Sequence, residues 1–343
     1  SLPEILNIED NLLLPVIAIL SPFDALRLFK EFSGRPSFLE KSTFIIDDLL
    51  TRTVEADILV QDLSRTFINL PSGDKGGHLV LLSTISDRAY DNYLRITHNL
   101  TVTPERKNFI LKETKCKDMN SITKKMLFEM REFFNRWLDE LNTGVGSVIV
   151  FAQNAKRGRF IIKALNKYYR KQNGLNVVPI QVSIRPKETI NSFYDRVLAE
   201  VALIQAERGE KAKTLCLLIF DLTGNITPEQ MKIMKSRIPL QLMGLLSRVY
   251  VTTSKNESKL TIPDATVIFD STVIELEYYD INKEVTTIKE TLIPQTYCDQ
   301  RAKLLNPMTS DTVYHRFYLE GVERPSFLPP SLWRINLSQT LFT

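Results

Sequence analysis

Histidine and cysteine are scarce in this 343-residue chain, with three of each. Cys116, Cys216 and Cys298 lie far apart, which excludes a disulfide framework and a paired-cysteine metal site and suits a reducing compartment. His78, His98 and His315 stand near no paired cysteines or carboxylates at ligand spacing, so no metal site is expected. Long hydrophobic runs are also missing. The longest, Leu12 to Leu20, contains Pro15 and is too short to cross a bilayer. No signal-peptide pattern is visible, so the expectation is a cytoplasmic protein with no membrane partner. No Gly-x-Ser-x-Gly elbow occurs. The Asn99-Leu100-Thr101 sequon has no secretory signal to give it meaning. The most consequential absence is the Gly-x4-Gly-Lys-Ser/Thr string, the loop whose backbone N–H groups and lysine cradle nucleotide phosphates.

What is present is ordinary for a globular protein: 43% hydrophobic and 24% charged residues, with a net charge of +4. The length suffices for two domains with cores of their own. Apolar runs rich in β-branched residues predict strands at 16–20, 44–46, 79–82, 147–151, 214–220, 249–251 and 265–269. Helical spacing is read over 25–32 and 122–141, the latter through Met126, Met130, Phe133, Phe134, Trp137 and Leu141. Strands alternating with helices predict an α/β architecture. The Gly-rich turn at 142–146 marks the natural break between halves.

Several strings carry chemistry. Phe44-Ile45-Ile46-Asp47-Asp48-Leu49-Leu50 places an acidic pair after a strand. Before it stands Ser21-Pro22-Phe23-Asp24-Ala25-Leu26-Arg27, and after it Leu82-Ser83-Thr84-Ile85-Ser86-Asp87. Residues 248–264 end in Leu260-Thr261-Ile262-Pro263-Asp264, followed by Val267-Ile268-Phe269-Asp270-Ser271 and by Asp299-Gln300-Arg301-Ala302-Lys303-Leu304-Leu305-Asn306-Pro307. In this order the strings resemble the motifs of DEAH/DExH-box RNA helicases of superfamily 2. The acidic pair matches the Walker B acids, residues 82–87 the Ser-Ala-Thr motif, and 299–307 the Gln-Arg-x-Gly-Arg-x-Gly-Arg finger motif.

The resemblance implies two RecA-like parallel-sheet domains, the first incomplete: 1–113 as its C-terminal half, 114–145 as a connecting helix, and 146–324 as the second domain. Residues 171–213 read as an insertion in that second domain and a place for a partner, or else as a surface excursion. Residues 325–343 read as entry to a winged-helix region. The resemblance also places Asp47, Asp48, Ser83, Gln300 and Arg301 in a degenerate nucleotide site. RNA-contact positions fall on Ser21, Arg27, Thr253, Lys255 and Lys259. Asp48 is one methylene shorter than the usual glutamate, Leu50 replaces a histidine, and the two finger positions are Leu304 and Pro307. Neither leucine nor proline can donate a hydrogen bond to a triphosphate. Since an arginine finger is worth about 10³ to 10⁵ in rate, the implied protein is a pseudo-helicase with no catalytic residue, cofactor or small-molecule substrate. It would act as a scaffold for RNA, a protein partner or both in translational regulation. The alternative is a divergent RNA-dependent NTPase whose phosphate loop lies outside this chain.

Residues 154–173 carry seven Lys or Arg and no acid. Phe160, Ile161, Ala164, Leu165 and Tyr168 read as one helical face, with Lys163, Lys167, Arg170 and Lys171 opposite. Two readings stand: a solvated cationic face, or a surface for phosphates or an acidic protein partner.

Overall fold

A computed structural model of the chain describes residues 18–32, 42–47, 53–68, 78–82, 109–140, 146–171, 176–180, 183–208, 214–306, 308–309, 312–326 and 328–337. Two compact units divide the chain: Ser1–Asn99 with Pro329–Thr343, and Leu100–Leu328.

The smaller unit contains α1 (Pro22–Phe32), β1 (Thr43–Ile46), α2 (Val54–Ile68) and β2 (His78–Leu81). Ser21 starts α1: its Oγ accepts from the Asp24 N–H at 3.1 Å and donates to the Asp24 carboxylate at 2.5 Å. The strands pair in parallel from Thr43–His78 to Ile46–Leu81. Alternation sends Phe44, Ile46 and Leu79 against Leu26, Phe29, Leu59 and Leu63 of the two helices, while Ile45 and Val80 point away and stay exposed. Of the strand expected at 16–20, residues 18–20 have no regular structure and 16–17 lie outside the described residues. In the C-terminal stretch, the described residues include a 3-10 turn, Ser331–Trp333.

The larger unit is built on a seven-stranded sheet, parallel at every pairing. Its strands are β3 (Ile110–Cys116), β4 (Ser147–Phe151), β5 (Val177–Ile180), β6 (Leu215–Leu222), β7 (Leu246–Thr252), β8 (Ala265–Asp270) and β11 (Val313–Leu319), in spatial order β3-β11-β8-β4-β7-β6-β5. Helices α3 (Met119–Glu140) and α4 (Ala155–Lys171) cover one face. Helices α5 (Ile190–Arg208), α6 (Pro228–Lys235) and α7 (Gln295–Ala302) contribute to the other. The period of two is strict in β4: Val148 and Val150 join the α3–α4 side, Ile149 and Phe151 the α5–α7 side. An antiparallel hairpin, β9 (Val273–Asp280) with β10 (Val285–Leu292), leaves the sheet after β8. Gly146 precedes β4 and lies against the residue that leads into β8; a Cβ there would lie 2.0 Å from the Asp264 carbonyl oxygen.

The strands expected at 147–151, 214–220, 249–251 and 265–269 are β4, β6, β7 and β8 with small changes at their ends. The helix expected over 122–141 is α3, with Met126, Met130 and Phe134 buried. Within 171–213, the described segments 176–180 and 183–208 belong to the fold. Val177–Ile180 forms the sheet's far edge against β6, and Phe193, Val197 and Val201 of α5 are buried in the core.

His315, in β11, shows how fully that strand is enclosed. The ring stacks on Phe317 at 4.7 Å, and its Nε2 lies 2.8 Å from the Thr114 hydroxyl. Burial, helped by Lys112 opposite on β3, pushes its pKa down to about 4. The folded state therefore resists protonation that the unfolded chain accepts near pH 6.5. Stability should be full above that value and fall as pH drops toward 4, by at most about 3 kcal/mol from this residue. Denaturant unfolding at pH 7 and pH 4.5 checks this: His315→Gln should lose less stability between the two than the wild-type chain does.

Candidate functional site

Three strings far apart in sequence meet at one buried cluster of charges. Arg301, near the end of α7, is only 1% exposed. Its Nη1 donates to Asp270 Oδ1 at 2.6 Å, while Nε and Nη2 each lie 3.0 Å from Glu257 Oε2. The guanidinium also lies over the Phe151 ring, 4.2 Å from its centroid. Asp270 ends β8 fully buried and accepts two further hydrogen bonds, from the Tyr314 hydroxyl at 2.6 Å and the Thr272 N–H at 2.7 Å. Burial opposes the charge on Arg301, but Asp270 and then Glu257 outweigh it, so the pKa is raised. The Tyr314 phenol is pushed well up, first by burial and then by Asp270.

Glu257 belongs to a 3-10 turn, Ser254–Lys259, that follows the C-terminal end of β7. Its neighbour Asn256 is buried and donates to the carbonyls of Leu222 and Gly224, each at 2.7 Å. Two inward side chains thus pin the turn, and the outward ones, Lys255, Ser258 and Lys259, are exposed. Lys255 also acts on Glu275 in β9, whose carboxyl is raised by burial and by Glu290 directly opposite, with Lys255 pulling it back down. Thr253, expected at an RNA contact, is buried at 5% exposure.

A second buried arginine holds the other half of this segment. Arg248 in β7 is 0% exposed and pairs with Asp264 at 2.5 Å. It donates besides to the Tyr194 hydroxyl, the Ser147 hydroxyl and the carbonyls of Ile233 and Ser236. Leu260 and Ile262 are core residues. The string Leu260-Thr261-Ile262-Pro263-Asp264 is therefore fixed by two core side chains and one ion pair.

The remaining candidates scatter. Gln300 is partly buried beside Arg301. Leu304, at a finger position, packs partly buried against the core next to Leu305, while Lys303 is exposed. Asp47 follows β1 and is exposed, Ser21 caps α1, and Arg27 is exposed on α1. Asp48, Leu50, Ser83 and Pro307 lie outside the described residues. On α4, Lys163, Lys167 and Arg170 are exposed as expected, while the Lys171 side chain lies outside the described residues. One assignment changes: Phe160 is 51% exposed, and Tyr169 is buried in the face where Phe160 was expected. The helix is rotated so that Ile161, Leu165 and Tyr169 meet the sheet. Among the described residues no cluster of His, Cys, Asp or Glu could hold a metal ion, and no helix is long and apolar enough to cross a membrane.

The C-terminal ends of β4, β6, β7 and β8 carry Asn154, Thr223, the lysine turn and Thr272 respectively. In open parallel sheets this edge is where ligands bind. No family model and no curated protein sequence matches the chain. Solved structures do match. The Escherichia coli DExH-box NTPase HrpB aligns over 93% of this chain and 32% of its own, with a TM-score of 0.57 and 13% identity. A crystal structure described as the E. coli DEAH/RHA helicase HrpB gives 0.55 and 13%, over 92% and 33%. The fold is helicase-like. The large parallel sheet fits a RecA-like domain, and the chain spans about a third of HrpB's length.

Arg301 sits where its removal strands two acids. Arg301→Met should lower folding stability by roughly 3–5 kcal/mol, because Asp270 is left charged and unpaired in the interior. Arg301→Lys should recover only part of that, since one ammonium cannot span both carboxylates as a fork. Denaturant midpoints of the three proteins check this; unchanged midpoints would mean that Arg301 has no structural role.

Proposed function

We propose that this chain is a helicase-like scaffold that binds single-stranded RNA through the turn Ser254–Lys259 and does not hydrolyse ATP. One observation carries it. The charged residues kept from the helicase pattern, Glu257, Asp270 and Arg301, are bonded to each other in the interior, and their pairing fixes a turn that holds Lys255 and Lys259 at the sheet's binding edge. Leu304 adds support for lost catalysis, since it is an aliphatic side chain lodged against the core at a finger position. Cationic side chains on a pinned turn suit phosphate contacts, which position a nucleic acid strand without reading its sequence. On this proposal the protein serves post-transcriptional control in the cytoplasm, holding a message near a protein partner without remodelling either.

Two measurements test it. ATP turnover, with and without single-stranded RNA, should stay at background; turnover that Asp47→Asn abolishes would overturn the proposal in favour of a divergent NTPase. Binding of a labelled oligouridine should weaken with salt, and the double variant Lys255→Ala/Lys259→Ala should flatten the log–log salt slope by about 1.4, the loss of two phosphate contacts on a single strand. An unchanged slope would remove the turn from the RNA surface.

A further inference from the structure

Helix α4 presents an array of charge that the lysine turn does not use. Taking about 100° per residue, Lys156, Arg159, Lys163, Lys167 and Arg170 fall within an arc of roughly 80°, opposite the buried Ile161, Leu165 and Tyr169. Along the axis the five cations extend over roughly 21 Å. All five are exposed. Arg159 has a carboxylate at the limit of pairing distance, Asp221 at 4.0 Å. Among the described residues no carboxylate lies within ion-pair distance of Lys156, Lys163, Lys167 or Arg170. Arg157, by contrast, turns sideways to Asn120 on α3 and leaves the array. The local sequence contains no acid from 154 to 173, so the repulsion among these side chains is not relieved within the helix.

The array contains one large apolar side chain, and it is exposed. Phe160 is one turn beyond Lys156 and one turn before Lys163, on the border of the cationic arc, with half of its surface in water. Gly158 lets this end of the helix approach the sheet, since a Cβ there would meet the Thr223 methyl at 2.5 Å.

We infer that the outer face of α4 is a second binding surface for single-stranded RNA. Its cations would contact the phosphate backbone and Phe160 would stack on a base. Surfaces that hold single strands without sequence preference combine these two elements, a cationic track and an exposed aromatic ring. An acidic protein partner fits less well. Lysine is depleted from protein interfaces, and affinity there comes from anchors buried in pockets. This face offers three lysines among its five cations and a single convex ring.

The inference rests on the RNA-binding reading above but names a different surface, and the experiment separates the two. The full chain is titrated with a labelled 20-nucleotide oligouridine from 0.05 to 0.2 M KCl. The variants are Lys163→Gln/Lys167→Gln/Arg170→Gln, Phe160→Ala and Lys255→Ala/Lys259→Ala, each first confirmed to unfold at the wild-type midpoint. The α4 triple variant should flatten the salt slope by about 2 and weaken binding at 0.05 M by about ten-fold or more. Phe160→Ala should weaken binding about five-fold or more with the slope unchanged, because it removes stacking and no phosphate contact. If the triple variant keeps the wild-type slope while the Lys255/Lys259 variant loses its share, α4 is not an RNA surface and the proposed function survives. If only the α4 variants weaken binding, the turn loses its role and this inference stands. Absence of RNA binding at 0.05 M overturns both. Binding of polyglutamate that the triple variant abolishes, with RNA affinity unaltered, would instead make α4 an acidic-protein surface.

Discussion

The larger unit depends on a carboxylate that water does not reach. Asp270 is fully buried, and a bare carboxylate in such a place would cost several kcal/mol. It is tolerated because Arg301, Tyr314 and the Thr272 N–H all donate to it at 2.6–2.7 Å. Each donor comes from a different element: α7, β11 and the start of the hairpin. The sheet, its covering helix and the hairpin base are thereby tied at one point. The same point holds a strained residue. Thr272 has φ +56°, a conformation that disfavours a β-branched side chain, and such strain costs about 1–3 kcal/mol. Its N–H on Asp270 and its hydroxyl on the Phe317 carbonyl at 2.5 Å keep it there.

Arg248 repeats the arrangement on the other side of the segment. Its partner Asp264 also accepts from the Ser147 hydroxyl and the Ile238 N–H, so that one carboxylate joins β4, β7 and the approach to β8. These two arginines show why some positions of the chain resist change. A position whose loss leaves an opposite charge stranded in the interior is costly to change, whatever the protein does. A position whose side chain reached only toward a ligand carries no such penalty. Glu257, Asp264, Asp270 and Arg301 are of the first kind.

This division also explains what could be read from the sequence. The central strands were legible because burial on both faces leaves unbroken apolar runs such as 148–151 and 215–220. The edge strand Ile110–Cys116 was not, because Lys112, Glu113 and Lys115 interrupt it, as suits an edge that must discourage further pairing. Val177–Ile180 was hidden by its shortness and by Pro179, which an edge strand tolerates. The hairpin reads as neither period because β10 is exposed over most of its length. At the candidate site the strings and their order were legible, but their meeting was not. Nothing in the spacing of residues 257, 270 and 301 states that they share one cluster, since that depends on a helix crossing back over the sheet. Phe160 was misplaced by a single step of helical phase, which local pattern cannot fix when Tyr168 and Tyr169 stand side by side and only one turns inward.

The two kinds of cation in this unit have different prospects as ligand contacts. For Arg301 to reach a phosphate it would have to leave Asp270 and Glu257, and the ligand would first have to offset the roughly 3–5 kcal/mol lost when a buried pair is broken. Lys259 and the α4 lysines are already hydrated and give up only rotamer freedom and weak solvent contacts on meeting a phosphate, a loss that counterion release outweighs. On the proposed function, a pinned backbone with exposed cationic tips would bind a strand in place, because no buried pair must rearrange between the empty and occupied states. Transmitting a nucleotide's state across a domain would need the opposite: an element with two arrangements of similar energy. The Arg301 and Arg248 clusters each tie several elements together in one geometry. On the proposed function, the chemistry of this unit would hold RNA rather than move it.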